Sequence, residues 1–116
     1  MLSLDLLKNG IVSSVINFGQ PRTGDLAFSN FLKTKPEIVT WRVVHNRDNV
    51  PHWPFSGDKL NYYHVCTEVF EDADGDLKVC DSSCEDPTCG DQYSAREQRP
   101  SDHMTYLGLY LDCSSV

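Results

Sequence analysis

Residues 12–45 read VSSVINFGQPRTGDLAFSNFLKTKPEIVTWRVVH, and the order of textures within them decides the fold. Val12 to Phe18 is a short β-branched and apolar run bounded by Gly19, the pattern of a strand buried on both faces. Gly19-Gln20-Pro21-Arg22 forms a turn. Gly24-Asp25 then opens a helix that sets Leu26, Ala27, Phe28, Phe31 and Leu32 on its inner face and ends near Lys33 to Lys35, before Pro36. Ile38 to His45 is a second strand. Strand, helix, strand is the rhythm of a parallel sheet.

On the N-terminal side, Met1 to Lys8 places Leu2 and Leu6, with Leu4 and Leu7 near them, on one side of a helix that Asn9-Gly10 stops. No capping residue precedes it, so the chain reads as beginning inside a helix. On the other side, Asn46 to Asn49 and Val50-Pro51-His52-Trp53-Pro54 leave the C-terminal end of a strand, where ligands and catalytic groups gather in open α/β sheets. Tyr62 to Phe70 and Leu77 to Cys80 read as two strands joined by Glu71 to Asp76, whose Asp-Gly pair marks a hairpin. A Cys-rich loop and a polar stretch follow, and Asp102 to Gly108 begins a short apolar element that closes at Cys113.

A chain of 116 residues is one domain of ordinary size and short for a complete α/β enzyme. With 40% apolar and 23% charged residues it is globular, not disordered. No apolar run approaches the roughly 20 residues of a membrane span. The net charge of −7 argues against a nucleic-acid partner, which needs clustered Lys and Arg. All of that charge falls between Glu71 and Asp91, where eight acids face Lys78 alone, and it reads as a solvated surface. Five cysteines favour an oxidising compartment, and their odd number leaves at least one thiol free or paired outside the chain. The opening MLSLDLLKNG lacks the basic region and small-residue cleavage site of a secretory signal.

Two residues on loops could work together: Asp48 and His103. In a Ser-His-Asp triad the acid orients the imidazole and stabilises the imidazolium, while the histidine takes the serine proton. Any chain with four histidines offers such a pair, so composition alone does not single these out.

Four segments do. They are Ile16-Asn17-Phe18-Gly19-Gln20-Pro21-Arg22-Thr23-Gly24-Asp25-Leu26-Ala27-Phe28, Arg42-Val43-Val44-His45-Asn46-Arg47-Asp48-Asn49-Val50-Pro51-His52, His64-Val65-Cys66-Thr67-Glu68-Val69-Phe70 and Asp102-His103-Met104-Thr105-Tyr106-Leu107-Gly108. In order and approximate spacing they resemble the fungal-type (class 3) lipases. The resemblance implies an α/β fold, specifically the C-terminal half of an α/β-hydrolase: a mostly parallel sheet with flanking helices, plus a β-hairpin and a Cys-rich loop. Residues 1–116 are then a partial domain. The resemblance also implies cleavage of acylglycerol esters, with Asp48 as triad acid and His103 as base. It implies a lipid ester substrate or lipid–water interface as partner, an extracellular location, and no cofactor or metal.

The departure concerns the nucleophile. That family carries its serine in a G-x-S-x-G elbow, and no two of the seven glycines here stand four apart. Without the serine the covalent step is gone, and each lost oxyanion donor costs roughly 3 kcal/mol more. Ser3, Ser56 and Ser101 do not sit on a strained turn and do not replace it. The chain is therefore expected to be an inactive portion of a lipase. The alternative is a non-catalytic module that binds lipid or a partner on the same scaffold.

Other residues carry two readings each. Cys80, Cys84 and Cys89 could hold zinc, although no fourth ligand is obvious. By the resemblance, Cys80 and Cys89 instead form the disulfide that closes a small loop. Cys66, inside a strand motif, reads as a buried free thiol. His52 and Trp53 either line an acyl-binding channel, as the resemblance implies, or pack their loop. Asp72, Asp74 and Asp76 lack the spacing of a calcium loop and read as a solvated hairpin tip. His45 and His64 read as structural histidines, and Gln20 and Asp25 as holding a turn and capping the helix.

Overall fold

The computed structural model describes residues 8–55 and 61–111. The helix expected over Met1 to Lys8 lies, apart from Lys8, outside the described residues, as do Ser3, Ser56 and Cys113. The strands are β1 (Ser13–Phe18), β2 (Gly24–Asp25), β3 (Ile38–His45), β4 (Tyr62–Tyr63), β5 (Glu68–Glu71), β6 (Leu77–Val79), β7 (Thr105–Tyr106) and β8 (Leu109–Tyr110). Helix α1 (Leu26–Lys33) connects β2 to β3, and short 3-10 turns occupy Val50–His52, Gly90–Gln92 and Pro100–Met104.

The principal sheet runs β1-β3-β5-β6. β3 pairs in parallel with β1 and β5, and β6 returns antiparallel through a hairpin, so the sheet is mixed and mostly parallel. This is the α/β architecture that the sequence implies, with one α-helix among the described residues. The run from Tyr62 to Phe70 is not one strand. Tyr62–Tyr63 pair with Gly24–Asp25, and β5 begins only at Glu68. Between them the chain is drawn toward the Cys loop, where Cys66 is disulfide-bonded to Cys84 and the Val65 carbonyl accepts from Arg42 Nε at 2.7 Å.

Register divides the sheet into two unlike faces, since neighbours on paired strands point the same way. One face carries Arg42, Val44, Glu68 and Phe70, and the cysteine loop covers it; Val44, Phe70, Cys80 and Cys89 form its buried cluster with Tyr93 alongside. The other carries Ile16, Phe18, Trp41, Val43, Val69 and Leu77, which with Leu107 line an apolar hollow of about 360 Å³. There Ile16, Leu77 and Val79 are 60%, 58% and 62% exposed. β1 is thus not buried on both faces as expected: its burial alternates residue by residue. Helix α1 differs similarly. Leu26, Ala27 and Phe31 are exposed, and the inward side presents Ser29, whose hydroxyl donates to the His64 carbonyl at 2.6 Å, beside half-buried Phe28 and Leu32. Apolar periodicity identifies a face able to be buried and says nothing of what lies against it. Asp25 does cap the helix, accepting from Phe28 N at 2.8 Å.

The charges on the covered face are paired. Arg42, 0% exposed, donates to Glu68 Oε2 at 3.0 Å and to the Cys84 carbonyl at 3.1 Å, while Glu68 Oε1 accepts from Gly90 N at 2.9 Å. Burial pushes the Glu68 carboxyl up against the opposing pull of Arg42 and the Gly90 N–H. The acidic segment is accordingly not all solvated. Glu71 is buried and accepts from Leu107 N at 2.9 Å, and Asp86 is buried and accepts from Asp81 N at 3.0 Å. The hairpin tip fits the expectation, with Asp72 Oδ1 accepting from the N–H groups of Asp74 and Asp76, both at 2.9 Å, and Asp81 and Asp91 are exposed as well.

Cys80 is disulfide-bonded to Cys89, so the thiolates of a zinc site are not available among the described residues. The expectation of a free Cys66 is corrected by its bond to Cys84 across eighteen residues, a pairing that strand texture does not reveal. With four of five cysteines so paired, the denatured, unreduced chain should yield at most one titratable thiol; two or more would contradict the Cys66–Cys84 bond. Arg42→Met, which leaves Glu68 buried without its partner, should lower unfolding free energy by about 3–5 kcal/mol, and adding Glu68→Leu should restore most of the loss. Urea unfolding of the two variants checks this, and a double variant no better than the single one would contradict it.

Candidate active site

The end of β3 sets the first half of the site. Asn46 takes a left-handed φ of 42°, turning the chain out of the strand, and Asp48 N closes the turn on the His45 carbonyl at 2.9 Å. The Asp48 side chain is 0% exposed, and each of its oxygens is engaged. Oδ1 accepts from Val50 N at 2.8 Å. Oδ2 lies 2.8 Å from His103 Nδ1 and also accepts the Tyr106 hydroxyl. One local donor, Val50 N, and one distant donor, the Tyr106 hydroxyl, thus hold a buried carboxylate, leaving one direction for an imidazole.

His103 belongs to the turn Pro100–Met104, which Pro100 starts. Its ring is 37% exposed and, with Nδ1 on Asp48, presents Nε2 as the nitrogen without a partner among the described residues. A clasp joins this turn to the Asp48 loop. Asp102 Oδ2 accepts from Asn46 Nδ2 at 3.0 Å and Arg47 N at 3.2 Å, the Asp102 carbonyl accepts from His45 Nδ1 at 3.0 Å, and Arg99 N donates to the Arg47 carbonyl at 2.6 Å. The geometry therefore brings Asp48 and His103 together across 55 residues of chain. Tyr106 and Asp102 were not singled out in the sequence, although both stand in the segment around His103. Burial, then the hydrogen bond to Asp48, pushes the Tyr106 phenol far up, so it stays a donor.

Of the candidate serines, Ser101 is exposed and donates to Asp102 Oδ1 at 3.2 Å, away from His103 Nε2 in bonding. His52 and Trp53 part company. His52 is buried, with Nδ1 3.3 Å from Asp91 Oδ1, whereas Trp53 is 52% exposed and stacks on Phe55 at 4.8 Å. Arg22 ties this segment down, forming a fork to Glu85 at 3.0 and 2.7 Å and donating to the His52 carbonyl at 2.8 Å and the Pro54 carbonyl at 3.2 Å. A cavity of about 420 Å³ lies beside Arg22, His52, Phe55 and Asp91. Burial pulls Asp91 upward, but the hydrogen bond from His52 and the charge of Arg22 outweigh it and hold the carboxyl at about 2. His45 and His64 are structural: His64 Nε2 donates to the Pro51 carbonyl at 2.7 Å, and burial, with the charges of Arg42 and Arg22, lowers its imidazole to about 2.

The described group of potential metal ligands is Glu68, Cys80 and Cys89, whose sulfurs are bonded to each other and whose carboxylate is held by Arg42 and Gly90. No described helix is long and apolar enough to cross a membrane.

Residues 1–57 match the family model described as lipase (class 3). The chain is similar to a lipase of Rhizomucor miehei, 31% identical over 93 residues, covering 78% of this chain and 24% of that protein. It is also similar to the secreted mono- and diacylglycerol lipase 1 of Fusarium solani, 28% identical, covering 96% of this chain and 34% of the relative. Among solved structures, a triacylglycerol lipase described as having a serine protease triad for its catalytic centre superposes with a TM-score of 0.79 at 28% identity, covering 94% of this chain and 42% of that one. The chain spans less than half the length of these relatives.

His64 provides a test of the buried site. An imidazole lowered on folding binds a proton in the unfolded chain below about 6.5 but not in the native one, so stability is lost as pH falls from that value toward 2. Between pH 6 and 5, where ordinary carboxylates stay ionised and Glu68 is the same in both proteins, His64→Gln should flatten the decline of unfolding free energy by up to about 1.4 kcal/mol per pH unit. Parallel slopes in urea titrations of wild type and variant would contradict it.

Proposed function

Because this chain belongs to the class 3 lipase family, we propose that Asp48 and His103 are the acid and base of a Ser-His-Asp triad that cleaves acylglycerol esters at a lipid–water interface. The observation that carries the reading is the 2.8 Å contact of His103 Nδ1 with an Asp48 carboxylate that is wholly buried and held by Val50 N and Tyr106. A carboxylate so placed fixes the tautomer with the proton on Nδ1. Nε2 is then left to take the proton of a serine hydroxyl as its oxygen attacks the ester carbonyl, and to return that proton to the departing alcohol. In the second half-reaction Nε2 takes a proton from water as the water oxygen attacks the acyl-serine carbonyl, the bond to the serine oxygen breaks, and the proton passes to that oxygen, which releases the acid and restores the serine.

The 116 residues contain no G-x-S-x-G, so this portion supplies the acid and base and not the nucleophile. On this reading residues 1–116 are part of one α/β-hydrolase domain, and the chain alone does not turn over esters. On the loop that follows Asp48, buried His52 packs on Asp91, and exposed Trp53 and Phe55 are the surface offered to an acyl chain. An extracellular location accords with two disulfides and with the secreted Fusarium solani relative.

A second reading, a non-catalytic lipid-binding module, is favoured by the apolar face at Ile16, Leu77 and Val79. It predicts binding to vesicles of neutral lipid that Val79→Lys weakens.

The experiment for the first reading replaces the matching segment of the Rhizomucor miehei lipase with residues 8–111. The chimera should hydrolyse a short-chain nitrophenyl ester, with Asp48→Asn reducing kcat about 10⁴-fold and His103→Ala to a similar degree. The 116-residue chain assayed alone should show no turnover. Chimeric turnover that survives His103→Ala would remove His103 as the base.

A further inference from the structure

Gly19 ends β1 with φ of +59° and its N–H on the Val43 carbonyl at 3.0 Å. A Cβ at this position would lie 2.6 Å from His103 Cε1, 2.7 Å from His103 Nδ1 and 2.8 Å from the Tyr106 hydroxyl. All three distances are below any contact that real Cβ atoms make, and two of the three atoms are the donors that share Asp48 Oδ2. The other left-handed glycines among the described residues, Gly10, Gly75 and Gly108, would meet nothing within 4 Å. Their need is conformational only, whereas Gly19 is constrained by the ring in front of it.

We infer that Gly19 is a positioning residue for His103: its bare backbone is the seat against which the imidazole lies while Nδ1 stays on Asp48. Any side chain at position 19 pushes the ring and the Tyr106 hydroxyl off the same carboxylate oxygen. Tyr106 cannot move far in compensation, because its ring is buried against Phe18 and His45, at 5.7 Å from each. The catalytic meaning of this role rests on His103 being the base; the contact itself does not.

The test uses the full chain with ¹⁵N-labelled histidine and needs no turnover. In the wild type His103 should show a downfield, exchange-protected Nδ1 proton and the ¹⁵N pattern of a ring fixed as the Nδ1–H tautomer. Gly19→Ala should abolish that proton and give averaged tautomers. Gly75→Ala, which places the same left-handed strain in open space, should leave the signal untouched. An unchanged His103 signal in Gly19→Ala overturns the inference.

If Gly19→Ala does not fold, thermal melts in a His103→Ala/Tyr106→Phe background decide. With the ring and hydroxyl gone, Gly19→Ala should become no worse than Gly75→Ala, and failure to fold there as well overturns the inference. In the chimera, Gly19→Ala should lower kcat at unchanged KM. A chimera without activity whose His103 signal still responds to Gly19→Ala counts against the proposed function and not against this role.

Discussion

Arg42 and Glu68 face each other across the parallel pair of β3 and β5, both buried, and the rest of the molecule is arranged around the cost of that pair. Desolvating two charges is repaid only where their remaining donors and acceptors are also satisfied. Here the further partners are backbone groups, the carbonyls of Val65 and Cys84 and the N–H of Gly90, while Arg42 Nη1 is buried with no partner among the described residues. The ion pair therefore pins an irregular, acidic loop onto the sheet. Gly90 suits its place because a Cβ there would press on Val44 at 2.9 Å and on the Glu68 carboxylate at 3.1 Å.

From the pinned loop the constraint passes outward. Glu85 and Asp91 are carried to Arg22, and Arg22 in turn holds the carbonyls of His52 and Pro54. The Asp48 loop is thus fastened at its far end by Arg22 and at its near end by the Asp102 clasp. A buried carboxylate in a loop needs both anchors: movement at either end would take Asp48 Oδ2 away from two donors at once. The acidic segment first read as solvated surface is, in Glu71, Glu85 and Asp86, part of this scaffold.

The strand–helix–strand order of residues 12–45 was legible because alternation of β-branched runs with a capped amphipathic stretch has few other solutions. β3 falls at Ile38–His45, where the sequence put it, and Asp25 caps its helix. Asp48 and His103 were legible only through resemblance, since no local pattern ties a loop acid to a histidine 55 residues away. What sequence could not carry were facts about the opposing surface. Cys66 in a strand-like run looks the same whether free or bonded, and Ser29 on the inner side of α1 is explained only by the His64 carbonyl opposite it. Gly19 reads as a turn residue until the imidazole lies against it.

The two faces of the sheet differ in what covers them among the described residues. The covered face is self-sufficient, with charges paired, cysteines bonded and apolar side chains closed over by the loop. On the other face Phe18, Val43 and Leu107 lead up to Tyr106, so the apolar hollow ends beside the residue that steadies Asp48. Parallel sheets are ordinarily covered on both sides. Yet the contacts that fix Asp48 and His103 come from loop and turn residues and from the rim of that face at Gly19 and Tyr106, and none needs a second layer to form. On the triad proposed above, the Asp48–His103 pair is set by contacts within this chain, so the demand it makes on a nucleophile is positional: a hydroxyl brought within hydrogen-bond reach of His103 Nε2.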